Sequence, residues 1–99
     1  MKTRFTSPAQ RHADKIDRWW RENRPATRDL FARELEEARK RIEQTPGIGT
    51  VYIERQGTSV LRVLLSKTKN HLYYELDSQK DVAMILAVWG APKARGPKL

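Results

Sequence analysis

The sequence contains no cysteine, which excludes disulfide bonds, thiolate metal ligands and a thiol nucleophile. A chain without cysteine fits the reducing cytosol best. Histidine is nearly as scarce, since His12 and His71 are the only two and lie far apart in the sequence. Two isolated histidines do not indicate a zinc site, so we expect neither a metal nor a cofactor.

Long apolar runs and glycine-rich phosphate loops are also missing. The longest apolar run, Val82 to Trp89, is far shorter than the roughly 20 residues that a membrane-spanning helix needs. Met1 to Thr6 lack the apolar core of a secretory signal. Gly47-Ile48-Gly49 is typical of a connection after a helix. We therefore expect a soluble, cytoplasmic protein with no membrane partner.

Positive charge is what the sequence has in excess. Its 99 residues, enough for one domain with a modest core, include 20 lysines and arginines against 12 aspartates and glutamates. The net charge of +8 predicts attraction to nucleic acid, to acidic membrane surfaces or to an acidic protein. Both halves of the chain are basic, so the clustering of the charges is more informative than their total.

One basic stretch, Arg55 to Tyr74, contains no carboxylate at all. Within and just after it, Val60 to Leu65 and His71 to Leu76 alternate in the manner of strands. The alternation places Arg62 on one side of the first strand, and it places His71 and Tyr73 together on one side of the second. One sheet face is then apolar and the other cationic and aromatic. This pattern predicts a binding surface, although an ordinary solvated sheet face has the same pattern.

The order of elements predicts an α+β fold. A short N-terminal strand, at an edge or frayed, precedes a helix that begins at Ser7-Pro8-Ala9-Gln10, where Ser7 and Gln10 form a capping box. A second helix is predicted from about Thr27 to Gln44, which gives an antiparallel helical hairpin. The remainder predicts a mainly antiparallel sheet, of three to five strands in total, against which the hairpin packs. Its later strands are Thr50 to Arg55, Val60 to Leu65, His71 to Leu76 and a central strand at Val82 to Trp89.

Residues 1–90 are interpreted as the single folded domain and residues 91–99 as a basic tail with two prolines. This tail is either disordered or fixed across a surface of the domain. The turn segments are rich in residues that interrupt strands, as in Lys67-Thr68-Lys69-Asn70.

Taken together, these features resemble the RelE/ParE superfamily of bacterial toxins from type II toxin–antitoxin modules, over nearly the whole chain. The matching features are Ser7-Pro8-Ala9 at the start of the first helix, Thr45-Pro46-Gly47-Ile48-Gly49 after the second, Arg62, His71-Leu72-Tyr73-Tyr74-Glu75-Leu76, and Ile85-Leu86-Ala87-Val88-Trp89 before a basic end. The resemblance implies growth inhibition, a role in plasmid stabilisation, and a hetero-oligomer with an acidic, partly disordered antitoxin.

Two activities are known in that superfamily. RelE-like members cleave messenger RNA on the ribosome with basic side chains and a proton-transfer group, whereas ParE-like members inhibit DNA gyrase by binding. An endoribonuclease would use His71, Tyr73 and Arg62. RelE-like chains usually carry an arginine and then a tyrosine, or a histidine, after the last strand, and here Gly90-Ala91-Pro92-Lys93 occupies that region. This departure favours the ParE-like interpretation.

The sequence thus leads to two sets of candidate residues and to a third hypothesis. Contact with gyrase or its DNA is predicted for Arg62, Lys67, Lys69, Tyr73, Lys93 and Arg95. Contact with the antitoxin is predicted for Trp19, Trp20, Phe31 and Leu35. The alternatives are a ribosome-dependent endonuclease, whose partners are the ribosome and messenger RNA, and a non-toxic basic nucleic-acid-binding domain.

Overall fold

The computed structural model describes residues 1–91 and 95–99 and has the predicted α+β architecture. Two helices and a five-stranded sheet form the described part of the chain. Their bounds are β1 Lys2–Phe5, α1 Ser7–Asn23, α2 Leu30–Gln44, β2 Thr50–Arg55, β3 Thr58–Leu65, β4 Asn70–Asp77 and β5 Val82–Gly90. Short 3-10 turns at Pro25–Thr27 and Pro46–Ile48 follow the two helices.

The sheet has the strand order β1-β5-β4-β3-β2. β1 pairs parallel to β5, and the other neighbours pair antiparallel. The N-terminal strand is therefore an edge strand, and the apolar β5 lies inside the sheet. The fold class predicted from the sequence is confirmed.

The first helix begins at Ser7 as predicted, but its capping residue and the start of the second helix differ from the sequence-based prediction. The N-cap of α1 is Thr6 rather than Ser7, and its hydroxyl oxygen accepts from the Ala9 backbone N–H at 3.2 Å. The Thr6 N–H still donates to the Ile85 carbonyl, so the sheet holds this residue extended and leaves its side chain to cap the helix. α2 begins at Leu30 rather than Thr27, because the 3-10 turn that starts at Pro25 occupies the preceding residues.

The main hydrophobic core lies between the helices and one face of the sheet. Its largest buried side chains include Phe31, Ile42, Leu72, Tyr74 and Ile85. These positions follow the helical and strand periodicities of the sequence, so the helix-covered face is the one that the pattern predicts.

A second, smaller apolar cluster lies on the opposite sheet face. Val60, Tyr73 and Ala87 are buried there. The partly buried side chains around them are Tyr52, Leu86, Trp89 and Leu99. The sequence predicts that the sheet face opposite the helices is partly open. In the structure this second cluster covers part of that face, and Leu99 from the end of the chain belongs to it.

A polar contact fixes β1 to α2. The backbone N–H and the hydroxyl of Thr3 both donate to Oε2 of Glu43 at 2.9 Å. Arg39 Nε donates in turn to the Thr3 hydroxyl at 3.0 Å. Because Thr3 is buried, the edge strand is anchored by a carboxylate rather than by apolar packing alone.

This anchor makes the stability of the fold depend on pH. The Thr3 backbone N–H, and then its hydroxyl, lower the pKa of Glu43 below its ordinary value of 4.5. The stabilisation is therefore complete above about pH 4.5 and is lost as the pH falls through the lower folded-state pKa. We expect Glu43→Gln to destabilise the protein at neutral pH, and we expect its difference from wild type to shrink at about pH 3.

Urea denaturation of both proteins at the two pH values measures this effect. Glu37→Gln, an exposed change on the same helix, is the control. A difference between Glu43→Gln and wild type that stays constant with pH would contradict the assigned role of Glu43.

Candidate functional site

The sheet face opposite the helices brings three candidate residues together. Arg62 on β3 lies directly across from Tyr73 on β4, and His71 lies across from Leu64 on one side and Trp89 on the other. The rings of His71 and Tyr73 are 6.0 Å apart between centroids. The strand alternation read from the sequence therefore places Arg62, His71 and Tyr73 on one face, as predicted.

Tyr73 is nevertheless not exposed to solvent. Its side chain is 2% exposed, and the Tyr52 ring meets it edge-on with 4.8 Å between centroids. The Arg62 guanidinium lies 5.1 Å from the centroid of the same Tyr52 ring. Tyr52, which the sequence did not single out, thus joins Arg62 to Tyr73. Tyr73 supports this surface from beneath rather than forming it.

His71 is uncharged on this face at neutral pH. Partial burial lowers its pKa below the ordinary value of 6.5, and the positive charge of Arg62 lowers it further. A neutral imidazole can accept a proton but adds no positive charge for an anionic partner. The charge of the face therefore comes from the arginines and lysines.

Lys67 and Lys69 lie exposed in the turn between β3 and β4. The buried carboxylate of Glu34, on α2, holds this turn. One of its oxygens accepts from the Lys67 N–H at 2.7 Å, and the other accepts from the Thr68 N–H at 3.0 Å and from the Thr68 hydroxyl at 2.7 Å. The two lysines are therefore presented by a rigid turn, at the end of the sheet where His71 lies.

The remaining predicted contact residues lie near the end of the chain. The backbone oxygen of Arg95 accepts from the Trp89 indole N–H at 2.9 Å, and the Arg95 side chain is exposed. Lys93 lies outside the described residues. Arg55 approaches Glu75 at 3.9 Å, a long surface ion pair that offsets little of the positive charge.

The four residues predicted to contact an antitoxin differ in exposure. Trp19 is 46% exposed and meets Trp20 edge-on, and Arg24 lies 5.1 Å from the Trp19 ring centroid. Trp20 and Leu35 are partly buried against the main core. Phe31 is 1% exposed and is a core residue with no surface for a partner, because its side of α2 faces the sheet.

Two features of the surface were missed by the sequence-based prediction. The first is a pair of exposed apolar side chains on the edge strand β2, Val51 at 60% and Ile53 at 39% exposure. Apolar residues that alternate along a strand at the edge of a sheet are the signal that could have identified them. His12, for which the sequence predicts no role, accepts at Nδ1 from the Val88 backbone N–H at 3.3 Å. Its ring also meets that of Trp89, so it links α1 to β5.

Within residues 1–91 and 95–99, no helix is long and apolar enough to cross a membrane. In the same part of the chain, no group of three or more histidine and acidic side chains is placed to hold a metal ion.

Residues 3–93 match the model of a protein family, the ParE toxin of the type II toxin–antitoxin system parDE. The chain belongs to this toxin family. The resemblance inferred from the sequence is thereby confirmed at the level of the RelE/ParE superfamily. Among proteins of curated function, none matches the sequence of this ParE-family toxin.

Solved structures similar to this ParE-family toxin have the RelE fold. A chain of the RelBE2 toxin–antitoxin complex from Mycobacterium tuberculosis matches with a TM-score of 0.59 and 24% identity, over 90% of this chain and 95% of the other. The isolated RelE toxin of E. coli matches with a TM-score of 0.57 and 17% identity, over 95% and 87% of the two chains. A chain of the intact E. coli RelBE toxin–antitoxin complex matches with a TM-score of 0.56 and 17% identity, over 93% of this chain and 98% of the other.

Proposed function

We propose that this toxin acts by binding DNA gyrase, without chemistry of its own. The main support for this proposal is the burial of Tyr73, which is 2% exposed and lies beneath Tyr52. Tyr73 is the partner that His71 would need for proton transfer. General acid–base cleavage of RNA needs both groups within reach of the substrate. Arg62, Lys67 and Lys69, by contrast, have the charge and the fixed positions that suit docking to an anionic surface.

Arg62 is the residue on which gyrase binding should depend most. It lies on the aromatic surface of Tyr52, and a desolvated arginine beside an aromatic ring is a frequent source of binding energy. Lys67 and Lys69 would contact phosphates of the bound DNA or acidic side chains of the enzyme. Lys93 and Arg95 are proposed to extend this contact.

We expect Arg62→Ala to weaken gyrase binding by about tenfold, since one interfacial arginine contributes on that scale. The assay adds the purified toxin to gyrase and supercoiled plasmid DNA and counts gyrase-linked double-strand breaks. Arg33→Ala is the matched control, because Arg33 is exposed on α2 and makes a surface ion pair with Asp29 at 3.5 Å. Equal activity of Arg62→Ala and wild type would refute the assigned interface.

One observation favours ribosome-dependent cleavage of messenger RNA as a second candidate. His71 is neutral and lies beside Arg62, so it could accept the proton of a 2′-hydroxyl while Arg62 stabilises the phosphate. This mechanism would still require Tyr73 or another acid to become accessible. Cleavage at codon spacing on translating ribosomes, lost in His71→Ala, would establish it.

A cognate antitoxin is the other proposed partner, in a hetero-oligomer. Two of the similar structures are toxin–antitoxin complexes, which supports a protein partner for this chain as well. Trp19 lines a groove between α1 and the end of β5 in which Lys15 and Arg18 also lie. An acidic segment with an apolar side chain for this groove would fit both its shape and its charge. The toxin would act in the cytoplasm.

A further inference from the structure

The end of the described chain crosses the sheet face that carries Arg62 and Tyr73. Residues 95–99, here termed the strap, contact that face in several independent ways. The Trp89 indole donates to the Arg95 carbonyl oxygen at 2.9 Å. Pro97 is buried, and Leu99 packs against the cluster of Val60, Tyr73 and Ala87. The strap therefore forms part of the cover that hides Tyr73.

Gly96 lies close to the side chain of Tyr52. A Cβ atom added there would collide with the hydroxyl oxygen of Tyr52 and would lie 3.1 Å from its Cζ, so either the strap or the Tyr52 ring would have to shift. The backbone of Gly96 is not in the left-handed region, so the obstacle to alanine is this contact rather than the backbone conformation. The strap thus depends on a residue without a side chain above Tyr52, the same ring that meets Arg62.

The strap does not pack against α1 along its whole length. A pocket remains between the strap and the start of α1, lined by Pro8, Leu86 and Trp89 among others. Arg95 and Lys98 of the strap line the same pocket as Arg55, so like charges lie near one another. These features favour a strap that can detach while the core stays folded.

We propose that the strap is a removable cover, and that the gyrase-binding surface includes the aromatic side chains that it contacts, Tyr52 and Trp89. The identity of the target rests on the proposed function, whereas the motion of the strap does not. Lifting the strap would uncover Tyr52 and Trp89 and would free Tyr52 to rearrange beside Arg62. The closed form then lowers the apparent affinity for the target, because only the open fraction binds.

Two variants should open the strap by different means. Gly96→Ala introduces the collision with Tyr52, and Leu99→Ala removes the apolar anchor. Tyr52→Phe deletes the oxygen with which the new Cβ collides and keeps the tight contact with Cζ, so Gly96→Ala combined with Tyr52→Phe should open the strap less than Gly96→Ala alone. Gly47→Ala is the control, since a Cβ at Gly47 meets nothing within 4 Å.

The first measurement is the exchange rate of the Trp89 indole N–H with solvent, followed by NMR. We expect about a tenfold faster exchange in Gly96→Ala and Leu99→Ala, a smaller increase in the double variant and the wild-type rate in Gly47→Ala. This readout needs no target. Exchange that stays at the wild-type rate in both opening variants would overturn the removable strap.

The second measurement is the affinity of Gly96→Ala and Leu99→Ala for gyrase. Opening the strap should tighten binding by about tenfold in both variants. Faster indole exchange with unchanged or weaker gyrase binding would overturn the role of the strap as a cover.

If neither the wild type nor any variant binds gyrase, the gyrase proposal fails. The same variants are then tested for cleavage of messenger RNA on translating ribosomes. Message cleavage that increases in the opening variants would then support the cover. Unchanged or weaker cleavage would overturn it.

Discussion

Glu34→Gln is expected to lower the free energy of unfolding by about 3 kcal/mol. In the wild-type protein one oxygen of Glu34 accepts from the Lys67 N–H and the other accepts twice from Thr68. A glutamine keeps one oxygen for Thr68 but turns an amide NH₂ toward the Lys67 N–H. The Lys67 N–H then loses its acceptor, and the two bonds that remain lose the assistance of the negative charge.

Urea denaturation at neutral pH measures this loss of stability. Glu37→Gln, the same change three residues later on the exposed side of α2, is the control. Glu37 is exposed, so its change should cost less than about 0.5 kcal/mol. A cost for Glu34→Gln equal to that of the control would show that the carboxylate does not hold the turn. Because this turn carries Lys67 and Lys69, we also expect Glu34→Gln to weaken target binding.

Gly49→Ala is expected to destabilise the fold by a similar amount, about 3 kcal/mol. An added Cβ would lie 2.8 Å from the Tyr74 hydroxyl oxygen and 3.0 Å from the Arg62 carbonyl oxygen. The Tyr74 hydroxyl donates to the Pro46 carbonyl at 2.7 Å and accepts from the Gly49 N–H at 2.9 Å. Burial raises the pKa of Tyr74, so the phenol stays protonated and keeps donating. The alanine would disrupt both hydrogen bonds of the buried Tyr74 side chain.

A double-mutant cycle separates this crowding from a general effect of alanine. Tyr74→Phe removes the hydroxyl, so Gly49→Ala should cost less in that background than in wild type. Gly47→Ala, two residues earlier, meets no neighbour and should change stability by less than about 1 kcal/mol. Strict additivity of Gly49→Ala and Tyr74→Phe would contradict the contact between these two residues.

The sequence predicts the fold well because its elements are defined by local patterns. Alternation in Val60 to Leu65 and His71 to Leu76 identifies the faces of β3 and β4, and the structure places Arg62 and Tyr73 across from each other. The helix periodicity likewise identifies the core side of α2. The helix starts are less accurate, since Thr6 becomes the N-cap only because β5 holds its backbone.

The exposure of the site residues depends on contacts between distant segments, and the sequence does not reveal it. The alternation along β4 places Tyr73 on the sheet face that the sequence leaves without helices, but Tyr52 and Leu99 cover it there. The strap is rich in proline, glycine and lysine, which predicts no contribution to a core. Glu34 has the pattern of a solvated helix charge, and only its position opposite the β3–β4 turn makes it a structural residue.

The central claim is that this ParE-family toxin binds gyrase rather than cleaving message, and two parallel reactions test it most directly. The purified toxin is added to gyrase with supercoiled DNA, and separately to translating ribosomes with a defined message, each with wild type and His71→Ala. We expect gyrase-linked DNA breaks with both proteins and intact message with both. Codon-spaced cleavage of the message by wild type, lost in His71→Ala and without gyrase-linked breaks, would contradict the claim.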